Sequence, residues 1–264
     1  MYSQLTKKLQ NIISKIPAAI ALFAILIGWF LLCQSGAVPA YMLPSPIDVI
    51  KALINDFPII LSHGKVTLLE AFYGLCIGVL LAFITATLMD HFLVLNQAFY
   101  PIMVITQTIP TIAIAPILVL WMGFGMAPKI TLVVITTFFP ITVGLLDGYK
   151  SVDRDSIDLM RAMGASILQI FTHVKLPSAM SHFFSGLKIS ASYAVVGAVI
   201  SEWLGGFEGL GVYMTRVKKA YAFDKMFAVI IFIVIISLLL MLFVNILRDI
   251  SMPWVRAEKE AKES

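Results

Sequence analysis

Residues 226–247 read Met-Phe-Ala-Val-Ile-Ile-Phe-Ile-Val-Ile-Ile-Ser-Leu-Leu-Leu-Met-Leu-Phe-Val-Asn-Ile-Leu, a run without a charge between Asp224-Lys225 and Arg248-Asp249. About 20 apolar residues wound as a helix cross the hydrocarbon core of a bilayer, and a helix apolar on every side belongs in lipid or in the heart of a large protein. The rest of the chain chooses lipid. Its 264 residues are 60% hydrophobic and 13% charged, against the roughly 25% charge of a soluble domain. A mean hydropathy of +0.95 leaves too little polar surface to keep a domain of this size dissolved. A water-soluble enzyme is excluded, and one integral membrane domain is expected.

Five further apolar stretches, at 17–33, 66–89, 98–124, 130–146 and 186–204, complete a reading of six spans in an all-α, polytopic membrane protein. The first follows Lys7, Lys8 and Lys15, as a signal peptide would. Its apolar part is too long for that, and the 36–40 segment is a poor cleavage site, so an uncleaved anchor is expected. Cytoplasmic loops carry the excess of Lys and Arg. With the N-terminus inside, twelve of the 19 basic residues are inner: Lys7, Lys8, Lys15, Lys150, Arg154, Arg161, Lys175, Lys188, Arg248, Arg256, Lys259 and Lys262. The outer seven are Lys51, Lys65, Lys129, Arg216, Lys218, Lys219 and Lys225. Both termini are therefore read as cytoplasmic, with segment 1–16 and tail 249–264 flanking a transmembrane domain at 17–248. Trp29, Trp121, Trp203 and Trp254 stand near span ends, where an amphipathic indole belongs. The net charge of +4 comes without a basic run, so it reads as membrane topology and not as nucleic-acid binding. Cys33 and Cys76 lie inside apolar stretches and are read as packing residues.

Two segments outside the lipid are long. In the outer one, 35–64, Leu43-Pro44-Ser45-Pro46 precedes Val49, Ile50, Leu53, Ile54 and Phe57 at helical spacing, a Pro-started amphipathic helix at the membrane surface. In the inner one, 149–185, Asp153 can cap a short helix with Asp155 in its first turn, and Gly164 stops it. Ser166-Ile167-Leu168-Gln169 has capping-box spacing, so a second helix is expected to start there and end before Pro177. Two helices meeting at an elbow, apolar residues beside charge, suit either a partner's groove or the lipid surface.

Asp158-Leu159-Met160-Arg161-Ala162-Met163-Gly164-Ala165-Ser166, then Leu176-Pro177 and Gly186-Leu187, resembles the EAA loop of ABC importer permeases. Further segments extend the resemblance: Leu43-Pro44-Ser45-Pro46, Ile109-Pro110-Thr111-Ile112-Ala113-Ile114-Ala115-Pro116, Trp121-Met122-Gly123-Phe124-Gly125, Ser201-Glu202-Trp203-Leu204-Gly205 and Gly209-Leu210-Gly211. In this order they are similar to the binding-protein-dependent subfamily that imports nitrate, taurine, alkanesulfonates and thiamine-precursor pyrimidines. The resemblance implies a type I ABC importer (MetI-like) permease fold and a homodimeric membrane core. It also implies a pair of cytoplasmic ATPase subunits seated on the loops and an extracytoplasmic substrate-binding protein. Asp158, Arg161, Ala162, Gly164, Ala165 and Pro177 are the implied coupling residues. The chain departs from the family at Leu159 and Met160, where two alanines are usual, which implies a wider cleft on the partner. Small heterocycles such as a thiamine-precursor pyrimidine or a riboflavin-like solute are the favoured substrate, and sulfonate, taurine or nitrate the alternative.

Import needs an energy source, and the chain has no G-x-x-x-x-G-K-[ST] phosphate loop; His63-Gly64-Lys65-Val66 lacks both the upstream glycine and the hydroxyl after lysine. No cofactor is expected. His63, His91, His173 and His182 show no metal-ligand spacing and no nucleophile pattern. A membrane-embedded enzyme or a passive channel are the readings from other classes, and the docking loop argues against the channel. Polar groups at bilayer depth face protein or a watery cavity, so Thr106, Gln107, Thr108, Pro110, Ser190 and Glu202 are candidate pathway residues. Pro110 and Pro116 each remove a backbone donor and predict a broken third span, lining the pathway or merely kinked. Glu70 and Glu202, near the outer ends of their spans, either reach the headgroups or line the pathway. Ser190, Ser192 and Gly197 equally suit close helix packing.

Overall fold

The computed structural model describes residues 16–39 and 41–253, all of it helix and connecting turn. Lys7, Lys8, Lys15, Trp254, Arg256, Lys259 and Lys262 lie outside the described residues. Among the described residues, five helices are long and apolar enough to cross a membrane: α1 (Ile16–Gln34), α3 (Phe57–His91), α6 (Met126–Lys150), the rod Ile167–Gly205, and α11 (Phe223–Ser251). A sixth crossing is broken. α4 (Leu93–Thr108) and α5 (Thr111–Met122) meet at 101°, with Ile109 extended and Pro110 at the start of α5. Proline supplies no N–H and pushes its predecessor out of the helical region, so the break falls where the sequence places it.

Short helices cap the bundle. α2 (Pro46–Asn55) opens on Ser45, whose hydroxyl accepts from the Asp48 amide and donates to its carboxylate. It buries Val49 and Ala52. Phe57, read as part of this amphipathic helix, starts α3 instead, because Asp56 interrupts the chain between them. α10 (Leu210–Lys219) lies beyond the last crossing but one.

α6 and α9 (Leu176–Gly205) form the centre of the fold and run antiparallel. A side chain on Gly148 would strike Ala179, and one on Gly186 would strike the Pro140 carbonyl. Glycine at these places lets the two backbones approach, the usual device where lipid provides no hydrophobic drive between helices. Parallel to α6 runs α3, with Gly74 against Val133 and Gly78 against Thr137. One core joins the first half of α3 to α10, α11 and α2 through Ile60, Val133, Val195, Leu210 and Val229; another joins the opposite ends of α3, α6 and α9 through Met89, Leu145, Tyr149 and Phe183. α1 buries no residue and is held at the rim, where Trp29 Nε1 donates to the Pro44 carbonyl at 3.1 Å.

Candidate functional site

The loop between α6 and α9 is built from local signals. Asp153 accepts from the Asp155 amide and starts α7 (Arg154–Ala162). Gly164 ends it at φ +81°, the left-handed geometry that glycine adopts without strain. The Ala165 amide donates to the Met160 carbonyl and the Gly164 amide to that of Arg161, a complete Schellman stop. Ser166 and Gln169 then form a reciprocal capping box, and α8 (Ile167–Ile170) begins. The elbow is as the spacing predicts.

The second helix departs from expectation. It does not end before Pro177. α8 passes into one π-helical turn, Phe171–Lys175, and then directly into α9, where Pro177 occupies the first turn. Pro177 follows the wider turn inside one continuous helix, where the change from i→i−4 to i→i−5 pairing accommodates the N–H that proline lacks. Loop and crossing are thus one rod. Lys175 fastens its base by a 2.7 Å ion pair to Asp90 at the end of α3.

Asp158, Arg161, Ala162 and Gly164 are exposed, while Ala165 and Pro177 are half-buried. Asp158 and Arg161 pair at 3.3 Å on the open surface. Ile157 and Met160 turn towards the body, and Leu159, Met163, Ile167 and Leu168 face outward. A short helix with a charged pair flanked by exposed apolar side chains is shaped to enter a cleft.

At the other end of the rod lies a buried polar knot. Glu70 of α3 and Lys129 of α6 pair at 2.7 Å, and Lys129 also donates to the Glu208 carbonyl. Glu202 of α9 accepts from the Thr67 hydroxyl at 2.7 Å on one oxygen and from the Gly211 amide at 2.6 Å on the other. Thr67 accepts from the Leu210 amide at 2.9 Å, and His63 Nδ1 from the Gly209 amide at 3.0 Å. Three successive amides at the start of α10, orphaned by helix geometry, are thereby satisfied by side chains of α3 and α9. Glu70 Oε2 has no partner among the described residues, and a cavity of about 260 Å³ beside Glu70, Lys129 and Gly206 is large enough for water to supply one. Glu70 and Glu202 therefore lie inside the protein and do not reach out to headgroups.

On the same side, Asp56 accepts from Lys225 at 2.7 Å and from the Tyr213 hydroxyl at 2.6 Å, tying α2, α10 and α11. Burial pushes the Asp56 carboxyl up, but these two hydrogen bonds and the Lys225 charge outweigh it and hold the group below its ordinary 3.8.

The remaining pathway candidates separate. Thr106, Gln107, Thr108 and Pro110 are all exposed at the α4–α5 break, with the Thr106 and Thr108 hydroxyls returned to carbonyls of their own helix. Ser190 is fully buried and donates to the Thr137 carbonyl, so it serves the α6–α9 packing and presents nothing to a passage. Glu202 belongs to the knot. Lys129, read as a loop lysine, is a member of the knot that the sequence hides; its one signal is that Glu70, Lys129 and Glu202 are all assigned to the outer side of the membrane. His63-Gly64-Lys65 is helical, a geometry in which no phosphate loop forms. Among the described residues, no group of His, Cys, Asp and Glu is placed to hold a metal ion.

Residues 74–257 match the family described as binding-protein-dependent transport system inner membrane component. A probable ABC transporter permease protein of Haemophilus influenzae is 39% identical over 82% of this chain and 88% of its own. The formylaminopyrimidine transport permease protein ThiX of Halalkalibacterium halodurans is 37% identical over 81% of this chain and 86% of its own. The fold is that of a solved structure of the MetNI methionine ABC transporter in inward-facing conformations, which superposes with TM-score 0.57 over 75% of this chain and 95% of that one at 20% identity.

Proposed function

Because the chain belongs to the family of binding-protein-dependent transport system inner membrane components, and so is a multi-pass permease-type transport protein of the inner membrane, we propose that α7 is its coupling helix. In this reading two copies form the membrane core. Each presents Asp158, Arg161 and Ala162 to a cleft on a cytoplasmic ATPase subunit, and both termini are cytoplasmic. The observation that carries it is the rod. A capped, exposed helix leads through the Gly164 elbow into 39 helical residues that end at Gly205. A helix transmits displacement because its hydrogen bonds close within it, so closing of two ATPases would move the crossings themselves. Thr106, Gln107, Thr108 and Pro110, at the broken crossing, are the residues proposed to line the passage. Ala165 at the elbow and Pro177 near the base of the rod complete the proposed coupling set.

The substrate proposed is a small nitrogen heterocycle of the formylaminopyrimidine kind, delivered by an extracytoplasmic binding protein. The likeness to a permease named for that solute supports it. So does the placement of arginine in the described crossings: Arg248 alone, in the last turn of α11 and paired with Asp249 at 2.8 Å, where a sulfonate or nitrate route would favour a guanidinium free to meet the anion. In vesicles holding permease, ATPase and binding protein, a cysteine at Ala162 is expected to crosslink to the ATPase, and uptake of the pyrimidine to be competed by excess pyrimidine and not by taurine. Hydrolysis of ATP by the purified chain alone, or a crosslink that forms only to lipid, overturns the coupling role.

A further inference from the structure

The knot at the far end of the rod has no part in the permease reading, yet it is made by the last turn of the same helix that begins at the coupling elbow. From Ile167 to Gly205 the rod has 39 residues, about 58 Å at 1.5 Å per residue. Glu202 closes a ring there: its two oxygens hold the Thr67 hydroxyl and the Gly211 amide, and Thr67 in turn holds the Leu210 amide. An ordinary helix cap needs one acceptor from one neighbour. Here three helices are joined through a single carboxylate.

The ring has no slack. Gly209, at φ +120°, lies so close that a side chain would run into the Glu202 carboxylate, and a Cβ on Gly211 would come within 2.9 Å of Glu202 Cβ. Lys129 pins the loop just before it through the Glu208 carbonyl. A force that shifts α10 therefore shifts the end of α9. The other end of α10 is the part that can receive such a force. Its last turn carries Arg216, Lys218 and Lys219, all exposed, three cations on the surface opposite the coupling loop.

We propose that Glu202 and Thr67 form a positioning joint through which an acidic protein surface docked on α10 acts, along α9, on the ATP-coupled loop. The docked partner is the solute-loaded binding protein of the permease reading, on which this inference rests. The three lysine and arginine side chains give it orientation and speed of encounter; the joint turns its arrival into movement of the rod.

The test uses the intact complex of permease, ATPase and binding protein in vesicles, reading ATP hydrolysis against the concentration of loaded binding protein. Thr67→Val removes the bridging hydroxyl from the buried knot and is expected to leave basal hydrolysis unchanged while lowering the maximal stimulation about fivefold or more. Thr67→Ser, which keeps the hydroxyl, restores it, an outcome that a purely structural role for the methyl group would not give. Glu202→Gln, which leaves one of the two donors facing an NH₂ group, loses stimulation as Thr67→Val does. Lys218→Ala with Lys219→Ala raises the binding-protein concentration needed for half-stimulation and leaves the maximum in place. The joint is refuted if Thr67→Val and Glu202→Gln keep the wild-type maximum, or if Thr67→Ser loses it. A wild-type complex that takes up no solute is a different failure and removes the permease reading itself.

Discussion

The two ends of the Ile167–Gly205 rod use the same chemistry in opposite surroundings. At the loop end Asp158 and Arg161 are 69% and 68% exposed in their side chains and pair at 3.3 Å; at the far end Glu70 and Lys129 are 0% and 5% exposed and pair at 2.7 Å. An exposed pair contributes roughly 0.2–1 kcal/mol, because water screens it and two long side chains must be held still. A buried pair adds little over a well-packed apolar pair, but breaking it leaves a charge without a partner, at a cost of about 3–5 kcal/mol. One end can be rearranged by a partner at little cost. The other is held in place.

The largest effect should follow from separating the buried pair. Lys129→Met strands Glu70, whose second oxygen already has no partner among the described residues, and is expected to destabilise the detergent-solubilised protein by about 3–5 kcal/mol. Adding Glu70→Gln should recover much of that loss. Unfolding curves for the two single variants and the double variant check this, and equal stability of Lys129→Met and wild type breaks the contrast between the ends.

At the loop end the expected loss is of transport, with the fold intact. Among the described residues nothing lies within 4 Å of a Cβ built on Gly164, so Gly164→Asp meets no obstacle from them. Its residue must adopt a left-handed φ, a strain of roughly 1–2 kcal/mol that Asp bears better than most. The added carboxylate would instead enter the partner's cleft. Uptake is expected to be abolished while membrane insertion is normal, and Gly164→Ala, strained but uncharged, to retain part of it. Normal uptake by Gly164→Asp removes α7 from the coupling interface.

The same contrast explains what could be read from the sequence. The loop was legible because its determinants are local: Asp153, Gly164 and the Ser166–Gln169 box act over a few residues, as does Pro110 at the broken crossing. The knot was not. Glu70 and Lys129 are 59 positions apart, and Thr67 and Glu202 are 135 apart; no periodicity relates them, and only the packing of α3 against α6 and α9 brings them together. Lys129 follows Met126-Ala-Pro, a plausible loop, and its charge alone assigned it to the outside. Pro177 misled for another reason. The rule that a helix stops before proline assumes α-helical hydrogen bonding, and the π turn at Phe171–Lys175 changes the register before the ring arrives.

Ser166→Ala sharpens the comparison at smaller scale. It opens the capping box that starts the rod, and the loss of such a cap typically costs about 1 kcal/mol. The amides of Ile167 to Gln169 should exchange hydrogen faster, with uptake reduced and not abolished. No change in exchange would mean that the π turn and the Lys175–Asp90 pair hold the base of the rod without the cap.

The smallest effect concerns Asp56, which ties α2 to α10 and α11 between the two extremes of burial. Its folded pKa lies below the ordinary 3.8. A carboxyl lowered in this way lends its stabilisation in full above the unfolded value and loses it as pH falls through the folded one. Near neutrality the tie is therefore independent of pH, and it weakens only under acid conditions, below about pH 4. Asp56→Asn should lower the thermal midpoint at neutral pH and show a shallower decline than wild type on acidification, so that the two curves approach each other at the acid end. Curves that stay parallel down to the acid limit would mean that Lys225 and Tyr213 do not hold this carboxylate in its charged form, and that α10 is fastened without it.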